Sequence, residues 1–331
     1  MTPARLRPLP RLTIFLSVIL SASVTLSLSK GAPQSAQAAD TVSEPLLVAT
    51  ASVLVHADGN ARKLAGAGAL ARGFRLLSVM ADGSVLVSYY DAGAATIEAV
   101  DPNLSTRAVK KFGVFPVGLV APANDGFLVS ESGLLRRYDA RGSLVGTPIA
   151  PPGVRDALGF ADANVVIGSG RLAIYDRGGR VRHEMNIDAD RLIALPGDRF
   201  AVTDVRNSEV RVYTTALELK STLRFPNRAI LALAAGADGT LAIANGRPAC
   251  NLPDVEVDVF GDINAQPTVR LHTDIGTPVA MAIGAGGIYV ANAPCRSGDD
   301  GYIAAFARDG TPRDAIRNVG VPTGILPFAK R

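Results

Sequence analysis

A unit of short strands recurs along most of this chain, and no other feature of the sequence limits the fold as strongly. One copy reads Arg75-Leu-Leu-Ser-Val-Met80, a turn at Asp82-Gly83, Ser84-Val-Leu-Val-Ser-Tyr89, then Thr96-Ile-Glu-Ala-Val-Asp101 and Arg107-Ala-Val-Lys110. In order these are an apolar strand, a turn, a second apolar strand, a loop, an alternating strand ending near Asp, a turn, and a polar strand. The order returns at Gly118–Asp139, Ala157–Asp176, Leu192–Tyr213, Ile230–Phe260 and Ala280–Phe306. Sustained helical periodicity is absent.

The two ends are incomplete in complementary ways. Leu46-Leu-Val-Ala-Thr50, Ser52-Val-Leu-Val-His56 and Ala61-Arg-Lys-Leu64 supply a second, third and fourth strand without a first. Pro322-Thr-Gly-Ile-Leu-Pro-Phe328 has the pattern of a lone first strand. Joined, they complete a seventh unit of about 42 residues, the spacing of four-stranded propeller blades. A sheet this small cannot bury both faces alone, whereas radial packing lets each blade cover its neighbours. A linear solenoid would need polar caps, which are missing, and a β-sandwich would not need a repeat. The expectation is an all-β, seven-bladed β-propeller over residues 39–331, with six or eight blades as alternatives. The C-terminal strand closes the ring by pairing with the N-terminal strands.

Residues 1–38 have the features of a secretory signal peptide. Arg5, Arg7 and Arg11 precede an apolar, Ser-rich run from Leu12 to Leu28, and Ala36-Gln37-Ala38 is an A-x-A cleavage site. The expected product is a periplasmic or secreted chain cleaved after Ala38. The run is short for a bilayer span, so no stable membrane insertion of the mature chain is expected. Formal net charge is +4, from 34 Lys+Arg and 30 Asp+Glu. The leader holds four of the cations (Lys30 is the fourth) and no acid, so the body is neutral. That argues against nucleic-acid binding. Lys110-Lys111 and Arg136-Arg137 read as solvated strand faces.

The repeats resemble those of NHL-repeat and regucalcin/gluconolactonase-like propellers. The likeness rests on Phe200-Ala-Val-Thr-Asp204 with Asn207-Ser-Glu-Val-Arg-Val-Tyr213, and on Ile288-Tyr-Val-Ala-Asn292 with Tyr302-Ile-Ala-Ala-Phe306. It covers most of the body, but such scaffolds carry enzymes and binding modules alike. The absence of Trp excludes Trp-Asp repeats, Asp boxes ending in Trp, and the Trp docking motifs of quinone-dependent dehydrogenases.

Two long loops lie at equivalent places in adjacent units, 245–254 and 292–301. They carry Cys250 and Cys295, the only cysteines, which an oxidising compartment would join. The expected binding face is this stapled lip, with Arg247, Asn251, Asp254, Asn292, Arg296, Asp299 and Asp300. The resemblance implies a different chemistry, a divalent cation such as Ca²⁺ held by oxygens in the central channel. Its candidate ligands are Asp156, Asp190, Asp204 and Asn292. Glu44 does not precede a first strand as the family's Glu does, and Arg155, Arg191 and Arg228 would pair with Asp156 and Asp190. His56, His183 and His272 fall on peripheral strands of separate units. There is no Gly-x-Ser-x-Gly elbow. These observations favour a binding or scaffold protein for a protein, peptide or carbohydrate partner, without a cofactor. The alternative is a divalent-metal-dependent hydrolase or lactonase.

Overall fold

The computed structural model describes residues 45–50, 54–57, 63–67, 72–80, 82–91, 94–103, 105–113, 117–204, 206–247, 255–272, 276–295, 299–313 and 315–328. Residues 1–38, expected to be a signal peptide, and Glu44 lie outside the described residues. Among the described residues the strands form five four-stranded sheets and one eight-stranded sheet that divides into two antiparallel fours, giving seven units. From the channel outward, blade 1 comprises Pro322–Pro327, Leu46–Thr50, Leu54–Ala57 and Lys63–Ala67. Blades 2 to 7 follow in chain order. Their inner strands are Arg72–Val79, Val117–Ala123, Val154–Gly159, Ala189–Leu195, Ala229–Ala235 and Thr277–Ile283. Their outer strands are Thr106–Lys111, Leu144–Ile149, Val181–Asn186, Leu219–Arg224, Val269–His272 and Ile316–Arg317.

The ring closes as the sequence predicts. Leu47 stands opposite Leu326, and Val48 opposite Ile325. Each of the seven junctions between neighbouring blades has its own apolar cluster. Leu46, Val48 and Ile325 of blade 1 meet Tyr289 and Ile303 of blade 7, while Leu47, Ala49 and Phe328 meet Val85, Val87 and Val100 of blade 2. The other five clusters join blades 2 to 7 in turn. A blade inside such a ring is covered on both faces, so its middle strands are continuous apolar runs. Ala163–Gly168 is buried along its whole length, whereas the outer strand Val181–Asn186 of the same blade is largely exposed. His183 lies on that outer strand and is exposed.

The Asp that ends the third strand of the repeat caps a turn. Asp101 Oδ1 accepts the N–H groups of Asn103 and Ser105 at 2.8 and 2.9 Å. Asp139 does the same for Arg141 and Ser143 at 2.9 and 2.8 Å. Asp176 accepts from Arg180, and in blade 5 the Thr214 hydroxyl accepts from Ala216 and Glu218. These side chains replace backbone partners at a tight reversal.

Blades 3 and 4 are linked through a parallel bridge between Ala123 and Gly159. A Cβ on residue 159 would collide with the Ala123 side chain, so the approach requires glycine. Here one expectation fails. Arg137 is not on a solvated face; it is 4% exposed in this junction. Its Nη1 donates to Phe160 O at 2.5 Å and Asn164 Oδ1 at 3.1 Å, and its Nη2 meets Asp125 Oδ1 at 2.6 Å. Arg177 holds the other Asp125 oxygen at 3.2 Å. Every second residue of a blade strand faces a neighbouring blade, so a cation there must be paired. Lys110 also departs from simple solvation, since its Nζ sits 5.2 Å from the centre of the Tyr138 ring.

Candidate functional site

The connections into the inner strands and those between second and third strands share one face of the ring. At its centre the channel mouth forms a cavity of about 580 Å³, bounded by Arg155, Asp156, Asp190, Arg191 and the inner strands of blades 6, 7 and 1. The opposite end of the channel is apolar, with Leu158, Ile193, Met281, Ile283 and Leu326 among its walls.

The four proposed cation ligands do not converge at this mouth. Asp156 is buried, and both of its oxygens accept backbone N–H groups. Ala157 N is 2.9 Å from Oδ1, and Leu192 N of blade 5 is 2.8 Å from Oδ2. It bridges two blades. Asp190 is half-exposed beside Arg191 at 3.7 Å. Asp204, 2% exposed, is held by Arg211 at 3.0 Å and by Asn207 through its backbone N–H and side-chain amide. Asn292 is fully buried and donates to Val290 O at 2.9 Å. Among the described residues, no three His, Cys, Asp or Glu side chains are grouped as a metal ion requires. Of the expected arginine pairings, Arg191 does meet Asp190. Arg155 instead meets Asp188 at 3.6 Å, and Arg228 meets Glu256 at 3.4 Å.

Of the expected lip residues, Arg247, Asp299 and Asp300 are exposed on this face, Asn292 is buried beneath it, and Cys295 is half-buried. Cys250, Asn251, Asp254 and Arg296 lie outside the described residues. Arg247 shares a hollow of about 380 Å³ with Ser208, Asn227 and Arg228. A neighbouring hollow is lined by Arg155, Asp188, Asp190 and Arg206.

Sequence reasoning missed the charge clusters built across the strands of single blades. In blade 5, Glu209 is buried and held by Arg224 at 2.9 Å and Arg211 at 2.8 Å. The Arg224 hydrogen bond, with Arg211, keeps its carboxyl below the usual carboxylate range despite burial. In blade 6, Asp258 meets Arg270 at 2.7 Å and accepts from the Asn245 amide at 2.9 Å. The available signal was weak: charged residues stand at alternate positions of Val255-Glu-Val-Asp-Val-Phe260, on strands that otherwise bury both faces.

Ring closure and the apolar junctions define a β-propeller. No family model matches the chain, and no curated protein is similar to it in sequence. Solved structures similar to it include the periplasmic gluconolactonase PpgL of Pseudomonas aeruginosa. The TM-score is 0.64 at 16% identity, over 86% of this chain and 99% of that one. A functionally unknown protein from Desulfotomaculum acetoxidans gives 0.64 at 12% identity, over 87% and 100%. Kluyveromyces lactis Hsv2 with its loop 6CD replaced by a Gly-Ser linker gives 0.57 at 12%, over 83% and 94%. At such identities the likeness is one of fold.

Proposed function

We propose that the chain is an exported binding propeller that presents its loop face to a carbohydrate, peptide or protein partner. The observation that carries this reading is the engagement of Asp156, whose two oxygens are committed to backbone N–H groups of blades 4 and 5. Asp204 is likewise committed to Arg211 and Asn207. A hard cation needs several convergent oxygens, and this mouth supplies arginines beside its acids instead. Arg155, Arg191, Arg206, Arg228 and Arg247 give the face forked donors suited to a hydrogen-bonding partner. Export follows from the leader, with cleavage after Ala38, and the Cys250–Cys295 staple belongs to the same reading. The NHL-like repeat contributes the scaffold alone.

Thermal unfolding with Ca²⁺, Mn²⁺ or Zn²⁺, and with EDTA, separates this from a divalent-metal lactonase. A cation at about 100 times its Kd would add about 2.7 kcal/mol, several degrees for a domain of this size. The expected shift is below about 1 °C. A shift of several degrees, accompanied by lactone hydrolysis, would overturn the proposal. N-terminal sequencing of the exported protein should begin at Ala39; retention of Arg5 to Arg11 would refute cleavage.

A further inference from the structure

The junction between blades 5 and 6 holds a broad apolar cluster, as do those between blades 4 and 5 and between blades 6 and 7. Between blades 5 and 6, Val210 and Val212 meet Leu241, Ile243 and Phe260. Beside that contact lies a polar cleft of about 530 Å³, bounded by Arg224, Pro226, Asn245, Glu256, Asp258 and Arg270. That volume is within the range of about 300–1,000 Å³ typical of small-ligand sites.

Its inner wall carries an incomplete hydrogen-bond network. Asp258, 4% exposed, accepts from Asn245 Nδ2 and from Arg270 Nε. Asn245 is fully buried, and its Oδ1 has no hydrogen-bond partner. A buried acceptor left in this way is costly and calls for a donor. Blade 5 provides an internal control, because the repeat puts Asp204 and Glu209 in the register that Asn245 and Glu256 occupy in blade 6. There the network closes on itself: Asp204 and Glu209 are both fully engaged by Arg211, Asn207 and Arg224. The same site in the next blade is left open, and it lines a cleft.

We infer that this cleft binds a neutral saccharide. Its charges are balanced, with Arg270 on Asp258 at 2.7 Å and on Glu256 at 3.6 Å, and Arg228 on Glu256 at 3.4 Å. Arg224 is tied to Glu209 of its own blade. No net charge remains to select an ion, yet forked donors and acceptors are closely spaced. A sugar hydroxyl both donates and accepts, so it can supply the proton that Asn245 Oδ1 lacks while accepting from a guanidinium. Pro226, Ile263 and Pro267 offer an apolar wall for the C–H face of a ring. Arg228 Nη2 lies 3.4 Å from Asn245 O, a long contact that a small side-chain shift would release to open the approach.

This inference deepens the binding reading and rests on it. The test is calorimetric titration of the purified protein with glucose, galactose, N-acetylglucosamine, maltose and cellobiose. Glucuronate and a neutral tripeptide serve as contrasting probes. At least one neutral sugar should bind at concentrations of about 10 mM or below. Asn245→Ala and Asp258→Asn should each weaken it about tenfold, while Arg182→Ala on the exposed outer strand of blade 4 leaves it within about twofold. Arg270→Lys, at a half-exposed side chain, replaces Asp258→Asn if that variant does not fold. The cleft assignment is overturned if no neutral sugar binds, if only glucuronate or the peptide binds, or if binding survives the cleft substitutions. Sugar binding lost only through Arg191→Ala, at the channel mouth, would also overturn it, while leaving the binding-propeller reading in place. The divalent-cation shift described above tests that reading separately.

Discussion

Replacing Arg137 with Met would remove the guanidinium from the junction of blades 3 and 4 while keeping the length of its stem. Two buried acceptors, Phe160 O and Asn164 Oδ1, would lose the donors now at 2.5 and 3.1 Å. Ala163 O would keep its bond from Phe160 N. Stranding a buried acceptor costs about 1–2 kcal/mol, so these two together cost about 3 kcal/mol. The Asp125 contact adds little, about 0.5 kcal/mol, because that carboxylate is half-exposed and retains Arg177. The expected loss is therefore about 3 kcal/mol, or about 6 °C in Tm for a chain of this size. Urea unfolding followed by circular dichroism should show a lower midpoint with an unchanged slope. Asp125→Asn alone should cost about 0.5 kcal/mol. A loss below about 1 kcal/mol in Arg137→Met, or an equal loss in Asp125→Asn, would refute the claim that the guanidinium ties the two blades.

Three further outcomes follow from the same structure. Burial raises the Asp125 pKa, but the Arg137 hydrogen bond and the charges of Arg137 and Arg177 outweigh it and hold the carboxyl below its usual value. Glu209 is held low as well. Both bind fewer protons folded than unfolded, so their stabilisation is present above the ordinary carboxylate pKa and is lost as pH falls through their folded values. Unfolding free energy measured from pH 6 downward should fall, and Glu209→Gln should flatten that dependence; an unchanged slope would contradict the assignment. Gly159→Ala forces a Cβ into Ala123 and should cost about 1–3 kcal/mol, read as a lower Tm. Protein from an oxidising compartment should show no titratable thiol until it is reduced, as the proposed Cys250–Cys295 bond requires; two thiols reacting in the unfolded, unreduced chain would exclude it.

The architecture was largely legible because a radial repeat imposes one pattern many times. Alternation, turn residues and strand order recur together, and the missing first strand at one end matched the spare strand at the other. The Asp at the end of the third strand in blades 2, 3 and 4 was visible as a motif, but its role as a turn cap was not. An Asp that caps a turn and one that ligates a cation are the same letter, and only the N–H groups around Asp101 and Asp139 distinguish them. Arg137 illustrates the main limit. In Leu134-Leu-Arg-Arg-Tyr-Asp139 the strand period puts Arg136 and Arg137 on opposite faces, yet either face can be buried in a ring. Which cation lies inside depends on Asp125 and Asn164, brought near by the neighbouring strands. The cleft of blade 6 was hidden for the same reason, since its partners come from four separate segments of the chain.

Closure by a strand from the far end of the polypeptide has a consequence for the order of assembly. The Thr323 hydroxyl reaches Ala49 O across 274 positions of sequence. Bringing two such points together costs about 5 kcal/mol in chain entropy, and none of the contacts that offset it exist before residue 327 has been synthesised. Until that strand arrives, Leu46 and Val48 lack Ile325, and Val85 and Val87 lack Phe328, so two apolar surfaces stay open together. A chain still being synthesised is thereby kept from sealing prematurely, and docking of the final strand completes both junctions together.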